Sequence, residues 1–307
     1  MQTLTLTNMC DLLPPRPDDS NKASFGHVLN IAGSMNYKGA AYLSSLSALR
    51  VGAGYVTLAS SPSVCQSVSH LSANIVTLPL ETQAFSSAQD TVNPEILAPS
   101  QCDALLKRML SSTAISIGPG LGLINQELGS NLEFFSALLN KLKTTHLPII
   151  LDADGLNYLS VTQAPLPRNC LLTPHPKELA RLLSVNVGDI QQNRALYAKK
   201  AAKKYHVIVV LKGHNTVITD GELVFINPTG GSILAKAGTG DVLTGMISGF
   251  CAQSVSPLSA ACLGVYLHGL AAEFAEKELS AYSMLASELI DYIPNAMIEI
   301  LKAKHQN

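Results

Sequence analysis

The sequence predicts an α/β protein with one central, mostly parallel sheet and helices on both faces. Three observations carry this. Short apolar runs of strand length alternate along the chain with longer runs of helical character, the order expected of βαβ units. No Pro-rich or charged linker divides the chain after residue 25. Small and polar residues recur where the strand runs end, at Gly33-Ser34, Gly118–Gly122, Asp152–Gly155, Thr173–Pro176 and Lys212–Asn215. In open α/β sheets ligands bind outside those ends, so the recurrence places a binding site along one edge of the sheet.

The elements follow in order. Residues 11–24 are rich in Pro, Asp and Ser, and 1–24 is taken as an N-terminal arm preceding a single domain over 25–307. His27–Ala32 is a strand and Gly39–Val51 a small-residue helix with Leu43, Leu46 and Leu49. Gly54–Ala59 and Ile75–Leu80 are strands, as is Thr113–Ile117. Asn125–Lys143 is a helix, with Leu128, Leu132, Phe135, Leu138, Leu139 and Leu142 at helical spacing. Pro148–Leu151 and Cys170–Leu172 are strands, and Lys177–Leu183 and Ile190–Lys204 are helical. Val207–Leu211, Thr216–Thr219 and Leu223–Ile226 complete the strands. From Asp241 onward the chain is nearly all helix, through Asp241–Cys251, a buried Pro257–Ala275 and Leu285–Leu301.

Composition narrows the function. Of 307 residues, 47% are hydrophobic and 14% charged, which suits a large buried core and excludes disorder. The net charge of -1, without a basic tract, argues against nucleic acid or an anionic membrane as partner. With no Trp and 5% aromatics there is no base-stacking platform. The 6 cysteines form no CxxC pair, so structural zinc and a disulfide framework are not expected. His268 and Glu273 interrupt the most apolar segment, and the N-terminus shows no secretion signal, so a cytoplasmic location is expected.

The most informative stretch is NPTGGSILAKAGTGDVLTG, 227–245. Gly238-Thr239-Gly240 stands where a helix should begin. The first amides of a helix lack intrahelical partners and that end is electropositive, so a glycine turn there suits an anion such as phosphate. Asp241 at the mouth of such a hole would accept a proton or organise a metal; a helix-capping role is the alternative. Lys212, Gly213, His214, Asn215 and Thr216 lie between two strands, and read either as a phosphate contact or as a hairpin turn. The prolines around His175 in TPHPKE fix the direction of its ring, and the same residues also suit a helix start. Gly118–Gly122 is not a GxGxxG and lacks the acidic residue of a dinucleotide fingerprint. Asp152 and Asp154 could hold Mg²⁺ through water, or Asp154 could cap a helix from Gly155. Small residues from Ala40 either admit a ligand or allow close packing.

The chain resembles the ADP-dependent NAD(P)H-hydrate dehydratases, carbohydrate-kinase-like members of the ribokinase superfamily. The resemblance runs from about Arg16 to about Leu301 and rests on FGHVLNIAGS (25–34), KGAAYLSSLSALRVGAGYVTL (38–58), IGPGLG (117–122), ILDADGLNYL (150–159), LLTPHPKELARLL (171–183), VVLKGHNTVITDG (209–221), AKAGTGDVLTGMISGF (235–250), LHGLAAEFA (267–275) and ASELIDYIP (286–294). It implies a ribokinase-like fold and a hydro-lyase that converts (S)-NAD(P)H-hydrate (NADHX or NADPHX) to NAD(P)H, with ADP as co-substrate, Mg²⁺ on the phosphates, and AMP and phosphate released. It implies Asp241 as base, and the amides of Gly238, Thr239 and Gly240 as anion hole. Lys212–Thr216 with Gly240 would bind the nucleotide. Ala40, Gly120, His175 and Asp241 would bind the hydrated cofactor. A homotetramer and a separate epimerase are also implied. The chain departs from the family pattern at Asn21-Lys22-Ala23, at Ala237 and at Gly231. Two other readings use the same residues: a kinase of a small hydroxymethyl compound, and a nucleotide-binding regulator without catalysis. TPHPKE disfavours the first, and an intact Asp241 the second.

Overall fold

The structure, a computed structural model, describes residues 1–83, 95–122 and 129–306. Its strands are β1 Gln2–Thr3, β2 His27–Ile31, β3 Tyr55–Ser60, β4 Val76–Pro79, β5 Thr82–Gln83, β6 Ile96–Leu97, β7 Ala114–Ile117, β8 Ile149–Leu151, β9 Cys170–Leu172, β10 Ile208–Leu211, β11 Val217–Thr219 and β12 Val224–Ile226. Ten of them form one sheet in the order β1-β12-β11-β10-β9-β8-β7-β2-β3-β4. Pairing is parallel from β10 to β4, while β11 is antiparallel to both β10 and β12. The expected parallel sheet is present, with an antiparallel edge that the Lys212–Thr216 turn creates.

Each central strand is buried on both sides, and alternate residues feed different layers. Val28, Ala114, Ile150, Leu171 and Val210 join one core with the helices Thr239–Ala252, Pro257–Ser283 and Ala286–Gln306. Their neighbours Leu29, Ile115, Leu151, Leu172 and Leu211 join a second core under the helices Gly129–Leu142, Asp154–Thr162, Pro176–Leu183 and Arg194–Tyr205. The start of the Asn125–Lys143 helix, with Leu128, lies outside the described residues.

Several elements differ from the sequence expectation. The stretch taken as an arm begins inside the fold: β1 pairs with β12, the Leu6–Cys10 helix follows, and Met9, Cys10 and Leu13 are buried in the first core. The expected Ile190–Lys204 helix is two, Val187–Gln192 and Arg194–Tyr205, broken at Asn193. The Pro62–Leu71 helix had a start signal in Ser61-Pro62, since Pro tolerates the first helical turn. Pro257–Ser283 is the one described helix long and apolar enough to cross a membrane, and 72% of its apolar window is buried in the protein. All six cysteines are free and buried.

The Thr239–Ala252 helix crosses the Lys38–Arg50 helix at backbone contact. A Cβ at Gly245 would meet Ser47 Oγ at 2.0 Å and the Ser44 carbonyl at 2.1 Å; one at Gly249 would meet the Ala48 carbonyl at 2.6 Å. A serine side chain can rotate away, but a carbonyl cannot. Gly245→Ala should therefore lower stability by about 1–3 kcal/mol, read as an earlier urea midpoint. Adding Ser47→Ala should not restore it, because the Ser44 carbonyl still stands in the way.

Candidate active site

From β2 the chain runs outward to β3 and β4 on one side, and then to β7, β8, β9 and β10 on the other. The order reverses between β2 and β7, which is where a ligand crevice is expected at the strand ends. The two loops there are tied by the Gly33 amide, which donates to Pro119 O at 2.8 Å. Gly120, with φ +61, packs so closely that a Cβ would meet Ala40 Cβ at 2.8 Å and Tyr37 Cβ at 2.7 Å. Ala40 and Gly120, far apart in sequence, are thus packed against each other beside the point where the strand order reverses.

Further along the same edge lies a cavity of about 650 Å³, within the range of small-molecule and cofactor sites. The whole Lys212–Thr216 turn lines it, with His175, Thr239 and Gly240. The loop 227–232 and His268 close its far side. Lys212–Thr216 is the hairpin turn between antiparallel β10 and β11, and the same residues face the cavity. Gly213 (φ +139) and Asn215 (φ +54) supply the positive dihedrals that the turn needs. Arg194 braces it from behind, donating from Nη2 to the carbonyls of Leu211 at 2.9 Å and Lys212 at 3.3 Å. That brace has no local signal in the sequence, since Arg194 lies 17 residues from Leu211.

The GTGD loop opens the Thr239–Ala252 helix, with Gly238 at φ +94 as the residue before it. Gly238 is packed rather than open: a Cβ there would meet Leu43 Cδ1 at 2.8 Å and Ala286 Cβ at 2.9 Å. Thr239 serves the loop. Its hydroxyl donates to Leu234 O at 2.8 Å and Lys236 O at 2.9 Å, and its amide reaches back to Lys236 O at 3.4 Å. Of the three residues expected to form an anion hole, Gly240 combines a first-turn helix amide with a place on the cavity wall. Lys212 Nζ would be 3.4 Å from a Cβ on Gly240, so an ammonium and a helix N-terminus converge on one point.

Lys212 is held there. Its Nζ is 2.6 Å from Asp152 Oδ1 and 4.0 Å from Glu178 Oε2, and its side chain is 19% exposed. The other oxygen of Asp152 accepts from Thr244 Oγ1 at 2.7 Å. Asp152 therefore links β8, β10 and the helix behind the GTGD loop. Burial disfavours the Lys212 ammonium, but Asp152 and Glu178 outweigh it and raise its pKa. Burial, with the Asp152 charge adding to it, pushes the Asp241 carboxyl up to about 7 against the pull of Lys212. Burial likewise pushes Glu178 up to about 7 against the pull of the same lysine. Asp241 does not line the cavity itself; it follows Gly240 on the helix and lies within the field of Lys212, Asp152, Asp154 and Glu178.

Asp154 clamps the GPGLG turn, accepting from the Gly122 amide at 2.8 Å and from Asn157 Nδ2 at 3.2 Å. It is the first residue of its helix rather than the cap, which is Ala153. His175 is the cap of Pro176–Leu183: its Nδ1 accepts from the amides of Lys177 and Glu178, while Glu178 Oε2 accepts from the His175 amide at 2.7 Å. Burial, with Lys212 and Arg181 nearby, pushes His175 down to about 4, so the ring is neutral; its Nε2 lies 3.5 Å from Glu178 Oε1, and the residue borders the cavity. Among the described residues no trio of His, Cys, Asp or Glu could hold a metal ion. With Asp152 and Asp154 engaged inside the protein, a divalent cation would enter on a ligand's own phosphate oxygens.

Comparison with known proteins gives the same direction. The family profile of NAD(P)H-hydrate dehydratase matches residues 28–295. The chain is 36% identical to the ADP-dependent (S)-NAD(P)H-hydrate dehydratase of Bacillus subtilis, over 92% of each. It is also 36% identical to the bifunctional NAD(P)H-hydrate repair enzyme of Moorella thermoacetica, over 92% of this chain and 51% of that protein, so it spans about half of that relative. The crystal structure of the Bacillus subtilis ADP/ATP-dependent NAD(P)H-hydrate dehydratase with ATP/Mg²⁺ superposes with TM-score 0.79 and 31% identity, covering 97% of this chain and 98% of that one. The sheet order and helical layers are ribokinase-like.

Proposed function

The chain belongs to the NAD(P)H-hydrate dehydratase family, and from that membership we propose that it dehydrates (S)-NAD(P)H-hydrate to NAD(P)H with ADP as the phosphoryl donor. The observation that carries the reading is the convergence of Lys212 and the Gly240 amide on the 650 Å³ cavity, with Asp241, a carboxyl that burial pushes up to about 7, next to Gly240 on the same helix and within the field of Lys212. A carboxylate that titrates near neutrality is matched to taking a proton from a hydroxyl.

The nucleotide lies along Lys212–Thr216, with its terminal phosphate against Lys212 and Gly240. The hydrated nicotinamide ring enters from the Ala40–Gly120 crevice and His175. Asp241 takes the proton of the ring hydroxyl as its oxygen attacks the terminal phosphorus of ADP, and AMP leaves. Lys212 and the Gly240 amide stabilise the charge on the transferring group. The carbon–oxygen bond then breaks with both electrons departing on phosphate, and the adjacent ring carbon gives a proton to that phosphate as the double bond forms. Mg²⁺ accompanies the nucleotide as its counter-ion, supplying charge neutralisation on the phosphates. ATP is an alternative donor, since these contacts meet a terminal phosphate without counting those behind it.

The catalytic domain in this reading includes β1 and the Leu6–Cys10 helix along with residues 25–307. A cytoplasmic location, a homotetramer and a separate epimerase supplying the (S) form go with it. The direct test mixes the protein with hydrated NADH, Mg²⁺, and ADP, ATP or no nucleotide, and follows the near-ultraviolet absorbance of dihydronicotinamide. A nucleotide-dependent rise is expected. Bound ADP with no rise would replace the reading by the small-molecule kinase.

His175 separates binding from capping. Asn caps helices well, whereas Ala does not. His175→Asn should keep stability near that of the parent while the KM for the hydrate rises several-fold. His175→Ala should show the same rise in KM and also lose about 0.5–2 kcal/mol in urea unfolding. An unchanged KM in both would leave His175 a cap only.

A further inference from the structure

The Pro257–Ser283 helix lies against the 227–230 loop at backbone distance. A Cβ on Gly269 would meet Thr229 Oγ1 at 2.2 Å. Thr229 Oγ1 donates to Tyr266 O at 2.8 Å, and the Gly230 amide donates to Glu273 Oε1 at 2.8 Å. These contacts fix the helix in rotation and register, and they set His268 opposite the start of the Thr239–Ala252 helix. His268 is 7% exposed and borders the cavity. Its Nε2 is 2.9 Å from Thr239 O. A carbonyl can only accept, so Nε2 carries the proton.

The Thr239 carbonyl and the Gly240 N–H belong to one planar peptide group. Holding the carbonyl fixes the plane, and with it the direction of the N–H on the other side. A bond to the carbonyl also polarises the N–H, because hydrogen bonds in a chain reinforce one another. We infer that His268 is a positioning residue that aims and polarises the Gly240 amide of the anion hole through the Thr239–Gly240 peptide. The inference rests on the dehydratase reading for its effect on rate. Burial, with Lys212 nearby, pushes His268 down to about 4, so the ring adds no charge beside the phosphate in the working range.

The test compares His268→Leu, which removes the donor, with His268→Gln, whose amide nitrogen can take the place of Nε2. In the full chain with ADP and hydrated NADH, the Leu variant should lose about 10–100-fold in kcat, less than loss of a whole oxyanion donor. Its KM for ADP should change little, and the Gln variant should stay within a few-fold of the parent. Unchanged kcat in the Leu variant, or equal losses in both, would overturn the inference. A second readout does not need turnover: the ¹⁵N and ¹H shifts of the Gly240 amide in glycine-labelled protein should move in the Leu variant and not in the Gln variant. No movement would overturn the inference even if the parent enzyme proved inactive, a result that would itself sink only the dehydratase reading. Should the Leu variant not fold, His268→Asn replaces it, since its shorter amide stops short of Thr239 O; parity between Asn and Gln would overturn the inference.

Discussion

Asp241→Asn should lower turnover by about 10²–10⁴-fold, the usual worth of a general base, and leave ADP affinity within a few-fold. Asn fills the same space and keeps the helix start, so only the proton acceptor is lost. In the parent enzyme kcat/KM should rise with pH and level off above a midpoint near 7, where burial has moved the Asp241 carboxyl. The same shift makes a stability prediction. Asp241 is neutral in the folded protein up to about pH 7, while in the unfolded chain it ionises near 3.8, the ordinary value for an aspartate. The native state is therefore most favoured below the lower value, and this advantage is lost as pH rises to the higher one. An Asn cannot ionise in either state. Asp241→Asn should match the parent near pH 4 and exceed it by about 2–3 kcal/mol above pH 7, allowing for partial solvent access. Guanidine unfolding at the two pH values checks it. A variant that loses activity and gains stability fits a strained functional carboxylate; one that loses both would make Asp241 a structural residue.

The fold was legible because its signals are local. Apolar runs, glycine turns and Pro-started helices each act within a few residues, and they placed the strands of the central sheet from β2 to β12 to within a residue or two. What escaped depended on distant partners. Gln2–Thr3 is too short to read as a strand and exists because β12 offers it an edge. The break at Asn193 interrupts a continuous helical pattern with no Gly or Pro. At the site, the sequence marked the turns that line the cavity but not the chemistry that links them. Asp152 was visible as an acid at a strand end, yet its work is to hold Lys212 and Thr244, which lie 60 and 92 residues away. His268 read as an interruption of an apolar helix. Thr239 was expected to give its amide to an anion, and the structure turns that amide toward Lys236 O. Such pairings are set by how layers stack, and a single sequence carries no local trace of them.

The Asp152–Lys212 pair should show the largest effect on stability. Asp152 is 1% exposed, so removing either partner leaves a charge inside the protein with part of its compensation gone. Lys212→Met should cost about 3–5 kcal/mol, because Asp152 keeps only Thr244. Asp152→Asn should cost somewhat less, because Glu178 is 4.0 Å from the lysine and takes over part of the pairing. The double variant should recover much of the loss, since apolar and neutral groups of similar size often replace a buried ion pair at little cost. Urea midpoints for the four proteins give the coupling directly, and additive losses would show that the pair is not a unit. Function should not recover with stability. Lys212 places a fixed charge beside Gly240, and a methionine there offers a phosphate nothing. The double variant should therefore fold well and bind ADP at least tenfold more weakly, separating what the pair does for the fold from what it does for the nucleotide. That outcome would make Asp152 the buried group that orients a lysine whose far side meets the nucleotide. Restored binding in the refolded double variant would remove Lys212 from the nucleotide site and leave the Gly240 amide as the principal phosphate contact.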